Sequence, residues 1–324
     1  MILRADTNTS PENADPENAA RDLVRPRHQQ VIMTIYGLYA REEGGALPVA
    51  ALIRMLGDLG IEEAGVRSSV SRMKRRGILE SCRNGGVAQY GLSSQSLEII
   101  VEGDTRIYSR IRATADDRWL LIVFSIPEAE RDKRHKLRSQ LTNMGFGAVA
   151  PGVWIAPAAL YSETSNRLAR LGLAPYVELF SVDNLTSEQM AAKVDDWWDL
   201  PSLDALYQQF IEKYTPMRDT WLSRIDGSVS KAPDPKAAVP KTAADQEDVL
   251  RQSFVDYVYM FTHWRRMPFL DPGLPLEFLP GHWSGVRAER VFSDIHESIG
   301  PLAHEYVHSI IHAQDHSPAM TATP

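Results

Sequence analysis

A chain of 324 residues, 44% of them hydrophobic, is long enough for two or three domains with cores of their own, and a formal net charge of -7 excludes a protein that coats polyanions over its whole surface. No apolar run approaches the roughly 18 residues needed to span a membrane, which predicts a soluble protein. The single Cys82 cannot form an intrachain disulfide, fits a reducing compartment and excludes a four-cysteine zinc site.

The first segment, with Pro-Glu-Asn-Ala at 11–14 and again at 16–19, is polar, acidic and low in complexity; it predicts a disordered tail over 1–24, without the apolar core of a signal peptide. Helical apolar spacing follows over 30–41 and 48–59, punctuated by Gly44-Gly45 and Gly60. A third helix is predicted between Ile61 and Gly77, where Val66, Val70 and Met73 fall at i, i+4 and i+7 and form an apolar seam. Arg67, Ser68, Ser69, Ser71, Arg72, Lys74 and Arg75 are the candidate DNA contacts of this helix. Arginine can form paired hydrogen bonds to guanine, serine reaches bases or phosphates, and lysine supplies phosphate charge. A solvated basic face is the competing account of a lone helix of this kind.

Downstream, Asn84-Gly85-Gly86 between two strand-like runs, 77–83 and 87–92, predicts a hairpin, with Cys82 as a packing residue of its first strand. Helix, helix, basic helix, hairpin is the order of a winged helix-turn-helix over 25–93, in which the third helix enters the major groove. Residues 61 to 92 carry six Lys/Arg against three Glu, so positive charge is local to this part of an acidic chain.

A linker helix is predicted over 94–112. A buried strand over 119–126, a charged helix over 131–144, strand segments over 146–157, a helix over 163–171 and a strand over 177–182 then predict a ferredoxin-like α/β sandwich within 113–198. From residue 199 to 324 the chain reads as a mainly helical domain: Leu200, Leu203, Leu206, Tyr207, Phe210 and Ile211 repeat at helical spacing, and further helices are predicted over 247–266 and 286–313. An alanine-rich stretch with prolines, 227–246, predicts a flexible insertion, and the Pro-rich aromatic segment 268–283 a loop that resists helix and strand. The fold class expected is therefore α+β and multidomain.

Taken together, Thr34-Ile-Tyr-Gly37, Val66-Arg67-Ser68, Ser71-Arg72-Met73, Gly77-Ile-Leu79 and Tyr90-Gly-Leu-Ser93, then Gly145-Phe-Gly147 and Pro151-Gly-Val-Trp-Ile-Ala-Pro157, then Trp198, Tyr207, Phe210, Arg265-Arg266, Asp271-Pro-Gly-Leu-Pro275 and Trp283-Ser-Gly285, resemble the PaaX family of bacterial repressors, which control phenylacetic acid catabolism. The resemblance runs from residue 25 to 316. It departs at the wing tip, Gly85-Gly86-Val87-Ala88, where Arg83 is the only cation although the family tends to be more basic.

The resemblance implies a cytoplasmic, homodimeric transcriptional repressor of an aromatic-acid operon that binds double-stranded operator DNA and is no enzyme. It implies no cofactor, and release from DNA by an aryl-CoA effector, phenylacetyl-CoA in the type case, sensed by the C-terminal domain. Trp264, Phe269, Phe278 and Trp283 are the candidates for an aromatic acyl pocket, and Arg265, Arg266, Arg287 and Arg290 for the CoA phosphates. The same residues also suit a core and surface ion pairs. The middle domain is similar to small CRISPR-associated ferredoxin-like nucleases, which form dimers; the place of their metal-binding Asp is taken here by Ser125, so nuclease chemistry is not expected.

Two alternatives differ in class. A free aromatic acid rather than a thioester is the effector in one. The other is a zinc metallopeptidase, since His304-Glu305-Tyr306-Val307-His308 fits H-E-x-x-H on a predicted helix. Ile311 and Gln314 replace the Gly and third His of the extended pattern, so adventitious metal binding by His304 and His308, in a ladder continued by His312 and His316, is the most that this motif implies.

Overall fold

The computed structural model describes residues 26–109, 112–183, 192–225 and 242–313. The expected tail at 1–24 and the part of the expected insertion at 227–241 lie outside them. The described chain forms two compact units, one from Pro26–Ile100, Glu212–Thr262 and Glu289 onward, the other from Val101–Ile211 and His263–Ala288.

In the first unit, α1 (His28–Ile35) continues into a π-helical turn, Tyr36–Ala40, followed by β1 (Ala46–Pro48), α2 (Val49–Asp58), α3 (Glu63–Arg75) and the hairpin β2 (Leu79–Asn84) and β3 (Val87–Leu92). The strands form an antiparallel sheet in the order β1-β3-β2. β1 has no counterpart in the sequence reading, because three residues are too few for an alternation to register; pairing of Ala46 with Gly91 and Leu47 with Tyr90 makes it a strand. Cys82 is exposed on β2, which corrects its expected packing role. Beyond Leu79 the residues of β2 are exposed.

Two helix ends set the course of this segment. At the end of α2, Gly60 N donates to Gly57 O (2.9 Å) and Ile61 N to Leu56 O (2.9 Å); at the end of α3, Gly77 N donates to Lys74 O (3.0 Å) and Ile78 N to Met73 O (3.0 Å). Both are Schellman motifs, and both glycines sit at positive φ, 72° and 67°, where a Cβ would be strained. The same unit contains residues 212–225 of α8 (Leu200–Ile225), 243–262 of α9 (Ala243–Trp264) and 289–312 of α11 (Gly285–His312). α9 begins at Ala243, inside the span expected to be an insertion.

The second unit is built on β4 (Trp119–Phe124), α5 (Arg131–Thr142), β5 (Gly147–Ala150), β6 (Val153–Pro157), α6 (Tyr161–Arg170) and β7 (Val177–Val182). The all-antiparallel sheet order β5-β6-β4-β7 is that of a ferredoxin-like fold. Leu120, Ile122 and Trp154 meet Leu137 and Leu141 of α5 and Leu168 of α6 in one core. The unit also holds residues 101–108 of α4 (Ser94–Tyr108), the short α7 (Val194–Trp197), the start of α8, and α10 (Met267–Leu270).

Segment 268–283, expected to resist helix, begins inside α10 and contains a 3-10 turn, Leu276–Phe278. Asp271 organises it. Its buried carboxylate accepts from the Tyr207 hydroxyl (2.9 Å) and the Gly273 amide (2.9 Å) and pairs with Arg112 at 3.3 Å. A buried charge needs partners of this kind to persist.

Candidate nucleic-acid interface

α3 carries an acidic Glu63 in its first turn and Arg72, Lys74 and Arg75 in its last, so its charges complement the helix dipole at both ends. Val66, Ser69, Val70 and Met73 are buried, and this face packs against α1 and α2. The apolar seam expected from the spacing is therefore the core face. Arg67, Ser68, Ser71, Arg72, Lys74 and Arg75 are exposed on α3, and Arg83 is exposed on β2.

Ser69 leaves the candidate set. It is 0% exposed, and its hydroxyl accepts from Arg72 Nη2 at 3.2 Å. Its place three residues after Val66 puts it on the seam, where a small side chain lets neighbouring helices approach. Ser69 thus acts through Arg72, whose Nη1 also reaches Ser68 Oγ at 3.1 Å. Two serine contacts aim this guanidinium along the helix surface. Arg67 is ion-paired with Glu63 one turn earlier, both largely exposed, and such a pair is worth only about 0.3–0.5 kcal/mol.

Lys74 lies over the ring of Tyr90 on β3, 5.2 Å from its centroid, which joins the basic helix to the hairpin. Tyr36 donates its hydroxyl to Tyr90 O at 2.8 Å, and burial pushes the Tyr36 phenol well above its usual range, so it remains a donor. Between α2, α3 and Tyr90 lies a cleft of about 310 Å³, with Leu52, Val66 and Val70 in its wall and Arg67, Lys74 and Arg75 among its lining residues. A second notch is lined by Arg27, His28, Gln29, Ser69 and Arg72. Arg27 and His28 carry no periodic signal in the sequence; what brings them here is their place at the N-cap and first position of α1.

The candidate effector residues are dispersed in role. Trp264 is buried, with Nε1 donating to Ile107 O at 3.2 Å and its ring 5.4 Å from Phe210. Trp283 meets the Tyr207 ring edge-on at 5.7 Å, and Phe278 lies 6.5 Å from Trp119. These three are 2%, 7% and 8% exposed and serve the core. Phe269 is half-buried under the Arg106 guanidinium, 5.2 Å from its ring. Arg265 and Arg266 are half-buried, Arg287 and Arg290 exposed.

Of the H-E-x-x-H pattern, His304 is half-buried against Tyr39, and Glu305 and His308 are exposed. The His304 ring meets Tyr39 at 4.9 Å, His304 Nδ1 lies 3.6 Å from Glu42, and His308 and His312 rings are 4.3 Å apart. No cluster of three or more His, Cys, Asp or Glu among the described residues has the geometry to hold a metal ion. His316 lies outside those residues. Nor is any helix among them long and apolar enough to cross a membrane.

Known proteins match most of the chain. Family models match in three places: "PaaX-like protein" over residues 27–96, "PaaX protein central Cas2-like domain" over 112–194 and "PaaX-like protein C-terminal domain" over 232–309. The transcriptional repressor PaaX of Escherichia coli (strain K12) is 26% identical over 280 residues, covering 86% of this chain and 82% of that protein. Among solved structures, the uncharacterized protein Rv0674 from Mycobacterium tuberculosis shares the fold, with a TM-score of 0.50 and 18% identity over 86% of this chain and 99% of that one.

Proposed function

The chain belongs to the PaaX family, a regulator and not an enzyme, and on that footing we propose that it is a DNA-binding transcriptional repressor of a phenylacetate-type catabolic operon. The observation that carries the proposal is α3, whose buried seam leaves Arg67, Ser68, Ser71, Arg72, Lys74 and Arg75 exposed together on an otherwise acidic protein. The order of α1, α2, α3 and hairpin supports a winged helix-turn-helix with α3 in the major groove. Arg72, steered by Ser68 and Ser69, is suited to a bidentate contact with guanine, and Arg67, Lys74, Arg75 and Arg83 to phosphate or base contacts.

The repressor works as a homodimer in the cytoplasm, where its DNA is. Supporting this, Val123 and Phe180 lie on one face of the ferredoxin-like sheet, 37% and 49% exposed, an apolar surface available to a second copy. The effector is an aryl-CoA thioester. It acts by linkage: a ligand that prefers a geometry in which the recognition helices no longer match the half-sites must lower DNA affinity. With Trp264, Phe278 and Trp283 committed to the core, the candidate contacts within the same unit are the more accessible Arg265, Arg266, Phe269 and Arg287.

The test is enrichment of a duplex from a random pool by the full chain, followed by mobility shifts with phenylacetyl-CoA, CoA and free phenylacetate. An enriched duplex that the thioester releases at concentrations where the acid does not is the expected result. Release by the acid alone would replace the effector assignment, and failure to enrich any duplex would overturn the function itself.

A further inference from the structure

The turn from α2 into α3 determines the angle at which the basic helix leaves its support, and two tyrosines from much later in the chain hold that turn. Tyr259 on α9 donates its hydroxyl to Leu59 O at 2.6 Å, and Tyr306 on α11 donates to Asp58 Oδ2 at 2.9 Å. Asp58 is the last residue of α2 and Leu59 its C-cap. Carbonyls at a helix end have no intrahelical donor. The Schellman bonds satisfy Leu56 and Gly57, and Tyr259 supplies the donor for Leu59.

The donors are themselves well placed. Rings of Tyr39, Phe254 and Tyr306 pack in sequence at 6.1 and 5.5 Å, and the hydroxyls of Thr262 and Thr34 are 2.9 Å apart, so α9 and α11 are registered against α1 as well as the turn. Burial and the bond to Asp58 push the Tyr306 phenol up to about 12, which keeps it a donor at neutral pH. Apolar packing tolerates small sliding. A hydroxyl bonded to one carbonyl and another bonded to one carboxylate do not, because hydrogen bonds are directional.

We propose that Tyr259 and Tyr306 are positioning residues for DNA recognition, holding the α2–α3 turn so that α3 presents Arg67 and Arg72 in a single pose, which makes these C-terminal helices part of the DNA-reading unit. The inference rests on α3 being the DNA-contacting helix. A recognition surface must be held to about 0.5 Å to be selective, whereas phosphate attraction needs no such precision.

The experiment uses the full chain, the duplex that the wild-type protein enriches from a random pool, and a scrambled version of that duplex. Tyr259→Phe/Tyr306→Phe keeps both rings and removes both hydroxyls. Affinity for the enriched duplex should fall about tenfold while affinity for the scrambled one stays within about twofold, since only the first depends on the pose of α3. Wild-type affinity for both, or an equal fall for both, as a smaller folded fraction would produce, overturns the proposal. A second comparison holds even if the double variant folds poorly: Asp58→Asn retains an acceptor for Tyr306 and should keep selectivity, whereas Asp58→Leu should lose it as Tyr306→Phe does. Equal behaviour of the two Asp58 variants overturns the proposal equally. Failure of the wild-type chain to enrich any duplex is a different result, because it removes the DNA-binding function on which the inference stands.

Discussion

Arg106 on α4 and Glu163 on α6 form an ion pair of 2.8 Å in which the side chains are only 10% and 20% exposed. The guanidinium also donates from Nη1 and Nη2, to Phe269 O at 3.2 Å and Met144 O at 3.0 Å. One planar fork thus joins α4 to α6 and to two backbone carbonyls, a geometry that an ammonium cannot reproduce. A parallel pair, Glu102 with Arg170, has bonds of 2.7 Å but is 32% and 23% exposed.

Breaking the more buried pair should cost more. Arg106→Ala is expected to lower stability by about 3 kcal/mol, because it takes the donor from two carbonyls and removes the ion-pair partner of Glu163, leaving that carboxylate only the attraction of Arg167. Arg170→Ala should cost only about 1 kcal/mol, as solvent screens the partner left behind. Urea denaturation of the two variants checks the ranking, which would be reversed or flat if packing alone held α4.

Gly147 leaves no room for a side chain. An added Cβ would lie 2.6 Å from the Trp198 indole, which also donates Nε1 to Gly145 O at 2.9 Å. Gly147→Ala must displace the ring and lose that bond, at a cost of about 2–3 kcal/mol. The thermal midpoint should drop by several degrees, whereas Gly281→Ala, with nothing within 4 Å, should leave it unchanged.

On the basic helix, the two arginines are expected to differ in their response to salt and sequence. Arg72→Ala should weaken binding to an enriched duplex by roughly 1–3 kcal/mol, and Arg72→Lys should not restore it, because one ammonium cannot make the paired contact. Glu63→Gln removes the carboxylate that competes for Arg67 and should strengthen binding at low salt, with the gain fading as salt rises. Mobility shifts over a salt series separate the two effects.

The last expectation concerns acid. His296 Nδ1 and the Tyr257 hydroxyl share a hydrogen bond of 2.6 Å, and burial holds the His296 pKa below the usual value. As pH falls through about 6.5 the unfolded chain takes up this proton before the folded one does. The stability that neutral His296 contributes is therefore complete above that pH and declines below it, down to the depressed folded value. Asp256, whose pKa burial raises, acts with the opposite sign. That contribution cancels when wild type is compared with His296→Gln, which keeps an acceptor but does not titrate. Between about pH 7.5 and about pH 5.5 the wild-type urea midpoint should fall further than that of the variant; equal falls would show that His296 contributes nothing.

Periodicity in the sequence alone determined the seam of α3, since Val66, Val70 and Met73 must share a face of any helix that contains them. It also determined the order of strands and helices in the ferredoxin-like domain, where each element is long enough to show its own pattern. Tertiary structure decided the rest. Ser69 reads as a polar contact residue until α1 and α2 cover it, and Pro48 reads as the start of a helix until β3 pairs with Ala46–Pro48. Trp264, Phe278 and Trp283 suit a pocket or a core equally well by composition, and only the neighbours Phe210, Trp119 and Tyr207 make them core. Nothing local in Tyr259 or Tyr306 points to Leu59 and Asp58, which lie about two hundred and two hundred and fifty residues earlier in the chain. Local pattern records what a segment does with its own nearest neighbours, whereas burial and long-range hydrogen bonds depend on surfaces that come together only when the chain is folded.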